Sequence, residues 1–325
     1  MLKRWTTHLA GVLAAIITVS SSLSVAQTST MQLYPLQTVA VTSEQFLTGS
    51  KDGKPAVIAG ELRIPAIAAE RVPAVVIVHG GVGVGDHEDN WAREFNKMGI
   101  AAFILDSFTG RNVSDTRANL TQISSFATLG DSYRALELLS KHPRIDPLKI
   151  AIIGFSRGAF ASLYASSRRF QTLSGPTGME FAAYIAFYTP CGTTYIDDEN
   201  VSDKPIRLFH GTLDDWVSVD ACRQYVSRLQ KGGKDVTLTE YADAYHRFDD
   251  LELQTKIFLP QGQTFRNCML TESPIGKLLN QKTGLPFTLS DPCLERGVTA
   301  VLNTNAQVES MRAVKEFLAR TFSSN

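Results

Sequence analysis

The pentapeptide Gly154-Phe155-Ser156-Arg157-Gly158 lies between an apolar run, Lys149 to Ile153, and a segment of helical character, Ala159 to Ser166. It is a G-x-S-x-G pattern in the strand–turn–helix context of a nucleophile elbow. Glycines are needed because side chains in so tight a turn would clash with neighbouring backbone. The turn lifts the hydroxyl of Ser156 clear of the sheet, at a helix N-terminus that favours developing negative charge. The sequence therefore predicts a nucleophilic serine, with a glycine-rich turn of another doubly wound fold as the alternative.

The histidines after Ser156 limit the choice of base. Two follow it, His210 and His246, and an elbow serine is followed first by its acid and then by its histidine. Only His246 leaves room for an acid at a strand end before it. Asp214 is the predicted acid and Asp215 its competitor, because both follow a buried apolar run. His246 would take the proton of Ser156 while Asp214 fixes its tautomer. The alternative for His246 is an exposed loop histidine.

A second glycine-rich stretch predicts the oxyanion hole. Residues 79–83 read His-Gly-Gly-Val-Gly and follow the apolar run Ala74 to Val78. Small residues there allow backbone N–H groups to face a bound carbonyl, so we predict donors at Arg157 and Gly81, with Val82 as the fallback. Residues 80–85 match G-x-G-x-x-G in no register and the sequence has no P-loop lysine, so no cofactor is predicted. His79 and His210 are interpreted as structural residues.

Apolar runs of the buried-strand type alternate with helical patterns along the chain. The predicted strands are Ala74–Val78, Ile100–Leu105, Lys149–Ile153, Ala182–Tyr188, Ile206–Phe209 and Val236–Tyr241. The predicted helices include one with Trp91, Phe95 and Met98 on its stripe, one capped by Asp131, and Val219–Gln230. Such alternation implies right-handed crossovers, and so an α/β fold whose mostly parallel sheet is covered by helices on both faces. Before it, Thr38–Phe46 and Val57–Ile64 predict an antiparallel hairpin.

The regular pattern lapses between residues 250 and 305. Helical periodicity resumes at Val308, Met311, Val314 and Leu318. A structureless loop of that length is unusual inside one domain. We therefore predict an insertion beside the site, ahead of a C-terminal helix.

The N-terminus has the features of a signal peptide. Lys3 and Arg4 precede a short apolar run, Leu9 to Val19, and Ser24-Val25-Ala26 is a small-x-small cleavage pattern. The run is much shorter than the ~20 residues of a spanning helix, so no membrane attachment is expected after cleavage. The sequence predicts a signal peptide over residues 1–26, one catalytic domain over residues 27–325, and a secreted or periplasmic protein. An uncleaved N-terminal anchor is the alternative.

Four cysteines fit an exported protein. An even count in an oxidising compartment favours two disulfides. Of the three connectivities, we predict Cys191–Cys222 and Cys268–Cys293, because each pair falls within one local region; free buried thiols are the alternative. Neither C-x-x-C nor H-E-x-x-H occurs, so no metal site is predicted.

Composition narrows the class of partner. The 325 residues carry 32 basic and 32 acidic side chains without a basic cluster, which argues against nucleic acid. A hydrophobic content of 44% is ordinary for a globular protein and argues against disorder. A small molecule is the expected partner, and the sequence leaves the oligomeric state open.

Five motifs together resemble the α/β-hydrolase superfamily, and within it the dienelactone hydrolase-like group. They run in family order: residues 78–81, 106–108, 154–158, 210–214 and 241–248. The resemblance implies an α/β-hydrolase fold and an enzyme that hydrolyses carboxylic esters, lactones among them, through Ser156, Asp214, His246 and an acyl-enzyme. The family typically carries cysteine at the elbow, so Ser156 marks a serine variant.

Two alternative functions remain open at this stage. A peptidase or amidase of the prolyl oligopeptidase-like type would use the same triad, and a catalytically silent binding protein would use none of it. Tyr188, at a strand end, and Trp216, beside the acid loop, are candidates for lining the substrate pocket. Core packing is the alternative for both.

Overall fold

The structure is a computed structural model that describes residues 30–66 and 70–323. The predicted signal peptide, residues 1–26, lies outside the described residues. Within those two ranges, none of the helices combines the length and apolar character needed to cross a membrane.

Thirteen strands and seven α-helices make up the described chain. The strands are β1 (Thr30–Ala40), β2 (Lys54–Ile64), β3 (Val72–Val78), β4 (Ala101–Asp106), β5 (Ile145–Phe155), β6 (Tyr184–Phe187), β7 (Thr193–Thr194), β8 (Ile206–Gly211), β9 (Val236–Tyr241), β10 (Ile257–Thr264), β11 (Leu270–Glu272), β12 (Leu278–Asn280) and β13 (Glu295–Ala300). The helices are α1 (Ser43–Leu47), α2 (Asp86–Lys97), α3 (Ser125–Ser140), α4 (Arg157–Tyr164), α5 (Arg168–Ser174), α6 (Val219–Lys231) and α7 (Thr304–Ser323).

Eight strands form the central sheet, in the order β1-β2-β4-β3-β5-β6-β8-β9. From β4 to β9 all neighbours are parallel, while β1 and β2 are antiparallel. Alternate residues of β3 pack in different layers: Val75 and Ile77 with α2 and α7, and Val76 and Val78 with α3, α4 and α6. Both faces of the sheet are thus buried under helices, as parallel sheets require. The predicted α/β-hydrolase architecture is confirmed.

The N-terminal hairpin forms, but its first strand lies earlier than predicted. Strand β1 pairs with β2 from Thr30 opposite Ile64 to Ala40 opposite Lys54. Of the segment predicted as strand over Thr38–Phe46, residues 38–40 are the end of β1, and the chain then enters helix α1 at Ser43. Thr42 and Gln45 form a capping box, each side chain bonding the other's backbone N–H, and this starts the helix.

The prediction that Asp131 caps a helix is wrong. Helix α3 begins at Ser125 and its N-cap is Ser124, whose hydroxyl accepts the N–H of Phe126. Asp131 lies inside the helix, fully buried, where the guanidinium of Arg111 pairs with both carboxylate oxygens at 2.7 and 2.9 Å. The apolar stripe continues N-terminal to Asp131 through Phe126 and Leu129, so the helix starts earlier than predicted.

The C-terminal helix begins before its predicted stripe. Helix α7 starts at Thr304, and Met311, Val314 and Leu318 are buried against the sheet. Val308 is 57% exposed, so its place on the predicted buried face is wrong.

The segment 250–305 has a folded structure of its own. Strands β10 and β13 pair with each other, while β12 and β11 join β7 from the main domain. Disulfide Cys268–Cys293 closes this insertion, and disulfide Cys191–Cys222 links the segment after β6 to helix α6. Both predicted pairs are therefore present as disulfide bonds.

Candidate active site

The turn from β5 into α4 shows why its flanking residues are glycines. A Cβ atom added to Gly154 would lie 2.0 Å from the carbonyl oxygen of Gly158, and one added to Gly158 would lie 2.0 Å from that of Val78. Neither space admits a side chain. Ser156 between them has φ +53° and ψ −109°, a backbone conformation that non-glycine residues rarely adopt. The serine is thus held at the tip of a strained turn.

The structure brings together the three residues predicted as a triad. Nε2 of His246 lies 3.0 Å from Oγ of Ser156, and Nδ1 of His246 lies 2.7 Å from Oδ2 of Asp214. With a neutral imidazole, Nδ1–H donates to Asp214 and Nε2 accepts the hydroxyl proton of Ser156. His246 is 1% exposed, so water competes little for these bonds.

Asp214 is fixed by its own loop. Its Oδ1 accepts the backbone N–H groups of Trp216 and Val217 at 2.8 and 3.0 Å, and its Oδ2 also lies 3.3 Å from Nε2 of His210. Burial alone would raise the pKa of Asp214, but the charge of His246 and hydrogen bonds from His210 and His246 lower that pKa well below its usual value. The carboxylate stays ionised throughout the neutral range. His210 is thus a structural neighbour of the acid.

Two aromatic rings pack against the imidazole of His246. The ring centroid of Tyr188 lies 4.6 Å away and that of Trp216 4.8 Å away. Each ring is anchored by its polar atom: the Tyr188 hydroxyl donates to Asp249 at 3.0 Å, and the Trp216 Nε1–H donates to the backbone carbonyl of Gln263 at 2.8 Å. The two residues border the cavity that contains Ser156, and they also restrict how the imidazole can turn; their contact with a substrate stays a prediction.

Asp249 is a second buried carboxylate, joined to the site through Tyr188. Besides Tyr188, it accepts Nε2–H of His87 at 2.9 Å and Nε1–H of Trp91 at 3.1 Å. Burial alone would lower the pKa of His87, but the charge and hydrogen bond of Asp249, with those of Glu88, raise it to about 10. Burial alone would raise the pKa of Asp249, but the charge of His87 and the three hydrogen bonds lower it. Together they form an ion pair inside the protein.

This buried cluster is absent from the residues predicted from the sequence. His87 and Trp91 are four residues apart and so share one face of α2, which was the available signal. The apolar stripe of Trp91, Phe95 and Met98 explains that face without a polar partner. The partner, Asp249, is 162 positions from His87, and no local pattern connects them.

The glycine-rich loop after β3 lies against the elbow. A Cβ on Gly80 would be 3.3 Å from the carbonyl oxygen of Phe155 and 3.8 Å from Cβ of Ser156. Nδ1–H of His79 donates to the Gly80 carbonyl at 2.7 Å, and Nε2 of His79 accepts the N–H of Ser107 at 3.2 Å. His79 therefore braces the loop, as interpreted from the sequence.

The next residue of the loop, Gly81, is also fixed. Its carbonyl oxygen accepts the N–H of Thr116 at 2.8 Å and the Thr116 hydroxyl at 3.2 Å. Gly81, Val82 and Arg157 border the same cavity as Ser156. The role of Arg157 and Gly81 as oxyanion donors stays a prediction.

The side chain of Arg157 ties the elbow to a neighbouring loop. Nη1 donates to the Ile123 carbonyl at 2.8 Å and the Ser125 hydroxyl at 3.2 Å, and Nη2 donates to the Leu120 carbonyl at 2.7 Å. Burial lowers the pKa of this guanidinium to about 10, since its partners here are neutral oxygens. Arg157 acts through this loop as a structural clamp.

Gln263 of β10 connects the insertion to the loops around the site. Its N–H donates to the Arg117 carbonyl at 2.9 Å and its Oε1 accepts the N–H of Leu120 at 2.9 Å. Its own carbonyl receives the indole N–H of Trp216. One residue of the insertion therefore supports both the loop held by Arg157 and a ring beside His246.

A cavity of about 1040 Å³ opens onto Ser156 and His246. The main domain and the insertion both contribute to its walls, which include both disulfides through Cys191 and Cys268. Across the two described ranges, no cluster of three or more His, Cys, Asp or Glu side chains could hold a metal ion.

Comparison with known proteins places these observations in a family. The model of the dienelactone hydrolase family matches residues 58–255. A probable 2-oxo-3-(5-oxofuran-2-ylidene)propanoate lactonase of Bradyrhizobium sp. is 23% identical over 202 residues, covering 59% of this chain and 81% of that protein. Protein usf of Aquifex pyrophilus is 25% identical over 187 residues, covering 54% and 76% respectively.

Solved structures show the same fold. The crystal structure of a dienelactone hydrolase-like promiscuous phosphotriesterase from metagenomic libraries is similar with a TM-score of 0.55. The match covers 90% of this chain and 98% of that one at 15% sequence identity. At that identity the similarity is one of fold.

Proposed function

Because this chain belongs to the dienelactone hydrolase family and is a hydrolase of carboxylic esters, we propose that it is a serine esterase with an acyl-enzyme intermediate. The observation that supports this mechanism is the continuous hydrogen-bonded line from Ser156 Oγ to His246 Nε2 and from His246 Nδ1 to Asp214. A hydroxyl in that arrangement can lose its proton as it attacks a carbonyl.

In the first half-reaction, Oγ of Ser156 bonds the ester carbonyl carbon while its proton passes to Nε2 of His246. The carbonyl oxygen becomes an oxyanion, which accepts hydrogen bonds from the backbone N–H groups of Arg157 and Gly81. As the tetrahedral intermediate collapses, the ester C–O bond breaks. The leaving oxygen takes the proton from Nε2, so an alcohol departs and the acyl group stays on Ser156.

In the second half-reaction, water replaces the alcohol. Nε2 of His246 removes a proton from the water as its oxygen bonds the acyl carbon. Collapse of this intermediate breaks the bond to Ser156, whose Oγ recovers the proton from His246, and a carboxylic acid leaves. Asp214 remains ionised in both halves because of its lowered pKa, and it stabilises the imidazolium each time it forms.

The disulfides and the predicted signal peptide indicate where the enzyme acts. Two disulfides fit an oxidising compartment, so we place the enzyme in the periplasm or outside the cell, after removal of residues 1–26. Residues 27–325 then act as one catalytic domain, in which residues 250–305 are an insertion. The partner is a small ester.

A fluorophosphonate probe together with an ester assay tests the mechanism. We expect the probe to label wild type at Ser156, and Ser156→Ala to lose both labelling and at least ~10³-fold of p-nitrophenyl ester turnover. Ser227→Ala, on α6, is the matched control and should retain both.

Three results would contradict the proposal in different ways. Unlabelled, inactive folded wild type would favour a binding protein. Equal turnover by wild type and Ser156→Ala would remove the serine from the mechanism. Faster turnover of peptide p-nitroanilides than of esters would favour a peptidase or amidase.

A further inference from the structure

We propose that the natural substrates are bulky, uncharged esters, with an apolar acyl group against α4 and an apolar alcohol group against the insertion. This inference rests on the proposed function, because it uses Ser156 and His246 to orient the ester. The inference goes beyond ester hydrolysis in two respects. It names the chemical class of substrate, and it assigns one wall of the cavity to the acyl group and another to the alcohol group.

The size of the cavity favours a large ligand. Clefts of about 300–1,000 Å³ hold drug-sized molecules. A volume of about 1040 Å³ is just above that range, so a short ester would leave most of it to water. Disulfide bonds at Cys191 and Cys268 anchor the wall on two sides, so the cavity is a fixed feature of the fold.

Proton transfer to the leaving oxygen determines how the ester is oriented in the site. The leaving oxygen must come within hydrogen-bond reach of His246 Nε2 to take its proton. The alcohol group therefore extends toward the side of the cavity near His246. The acyl group extends toward the other side, where helix α4 begins.

The acyl side is aromatic. Phe160 lies one helical turn after Ser156 on α4, and its ring contacts Phe126 with centroids 5.2 Å apart. Tyr195 contacts both rings, at 5.7 Å from Phe126 and 6.3 Å from Phe160. The three rings line the cavity together and offer an apolar surface to an acyl chain.

The alcohol side is built by the insertion. The hydroxyl of Thr264 donates to the carbonyl of Trp216 at 2.6 Å, which ties the residue before Phe265 to the residue whose ring packs on His246. Phe265 in turn contacts Phe287, with centroids 5.6 Å apart. Both phenylalanines border the cavity, so a ring or alkyl group leaving near His246 would lie against them.

Most of the arginines on the walls are already paired with a carboxylate. Four arginines that border the cavity each have their own carboxylate: Arg111 with Asp131, Arg117 with Asp115, Arg247 with Asp250, and Arg266 with Glu295. The guanidinium of Arg157 is bound to backbone carbonyls, and Lys54 and Lys277 are exposed to solvent. Away from the two exposed lysines, an anionic substrate would lose its hydration and would have to displace a carboxylate or the backbone acceptors of Arg157 to gain a counter-ion, which favours uncharged substrates.

Two ester series test the two walls separately. In p-nitrophenyl esters the leaving group is constant, and we expect kcat/KM to rise about fifteenfold from acetate to butanoate, since burying each of the two added methylenes gives about fourfold. In phenyl and 2-naphthyl acetate the acyl group is constant, and wild type should prefer the naphthyl ester. Phe287→Ala should reduce that naphthyl preference about fivefold. Phe258→Ala is the control, because this phenylalanine of the same insertion is 64% exposed and is not part of the cavity wall.

The outcomes separate this inference from the proposed function. If Ser156 is labelled and acetate is hydrolysed, but kcat/KM is flat or falls with acyl length, the substrate class is wrong and the mechanism stands. A preference for p-nitrophenyl hemisuccinate over butanoate would likewise overturn the uncharged class. If Ser156 is neither labelled nor needed for turnover, the proposed function itself fails.

Discussion

Asp214 and Asp215 are adjacent in the chain, yet their carboxylates hold different parts of the molecule. Oδ2 of Asp214 accepts Nδ1–H of His246 at 2.7 Å. Oδ1 of Asp215 instead accepts the backbone N–H of Thr299 in β13, at 2.8 Å. The loop after β8 therefore directs one acid into the site and the next one toward the insertion.

This difference gives a matched pair of variants. Asp214→Asn should lower kcat/KM by about 10³- to 10⁴-fold, because an amide neither stabilises the imidazolium nor fixes the required tautomer. Asp215→Asn keeps an oxygen that can accept the Thr299 N–H, so its kcat/KM should stay within about threefold of wild type. Steady-state kinetics on one ester, with circular dichroism to verify folding, measures both. The reverse ranking would make Asp215 the acid.

Tyr188 allows the ring and the hydroxyl to be tested apart. Tyr188→Phe leaves a ring against His246 but removes a donor from buried Asp249, so the free energy of unfolding should fall by about 1–3 kcal/mol while kcat changes little. Tyr188→Leu removes the ring as well, and kcat should fall about tenfold further with KM nearly unchanged. Denaturant unfolding and initial rates give the two quantities. A kcat loss as large in Tyr188→Phe as in Tyr188→Leu would assign the effect to the hydroxyl.

The ion pair of His87 and Asp249 predicts how stability depends on pH. The folded pKa of His87 is raised above its unfolded value, so its stabilisation is complete below about pH 6.5 and is lost as pH rises toward about 10. The pKa of Asp249 is lowered, so its contribution is lost only in acid. The free energy of unfolding should therefore decrease between pH 7 and 10, by at most about 1.4 kcal/mol per pH unit from this group.

Replacing both His87 and Asp249 with neutral residues tests whether their ion pair causes the alkaline decrease in stability. His87→Gln combined with Asp249→Asn removes both charges and keeps hydrogen-bonding groups, so the alkaline decrease should be smaller than in wild type. His142→Gln is the control, because the pKa of His142 is lowered and this residue cannot cause an alkaline loss. Urea unfolding at pH 7, 8.5 and 10 makes the comparison. Identical pH slopes in wild type and the double variant would refute the ion pair.

The elbow should tolerate no Cβ at Gly158. Gly158→Ala places an atom 2.0 Å from the Val78 carbonyl oxygen, so we expect a loss of more than about 4 kcal/mol or no folded protein. Gly85→Ala is the matched substitution: nothing lies within 4 Å of its added Cβ, and its φ of −159° suits any residue. Expression and thermal unfolding of the two variants decide the matter, and a stable Gly158→Ala would contradict the packing of the turn.

A functional residue can be predicted from the sequence when the pattern that identifies it lies within a short stretch of the chain. Ser156 can be chosen from a pentapeptide and its flanking runs, and Asp214 and His246 follow from chain order after it. Helix α1 could also have been found, since its capping box lies within four residues. Asp249 could not be predicted in this way, because its partner His87 lies next to it only when β3, α2 and the segment after β9 pack together.

The insertion shows the same limit more strongly. Strand β11 pairs with β7, so Leu270 lies opposite Thr193, a residue 77 positions earlier. Neither strand is longer than three residues, and such short segments have no periodicity of their own. Their structure depends on the partner, which the sequence alone does not name.

The three hydrogen bonds of Gln263 determine how this protein can be re-engineered. Replacing residues 250–305 with a short loop would remove the acceptors of the Trp216 indole and of the Leu120 amide in one step. Transplanting the insertion into a shorter relative would fail without a tryptophan and a matching loop to receive it. The insertion is therefore not an interchangeable module, and changes in substrate range and in turnover rate should be inherited together.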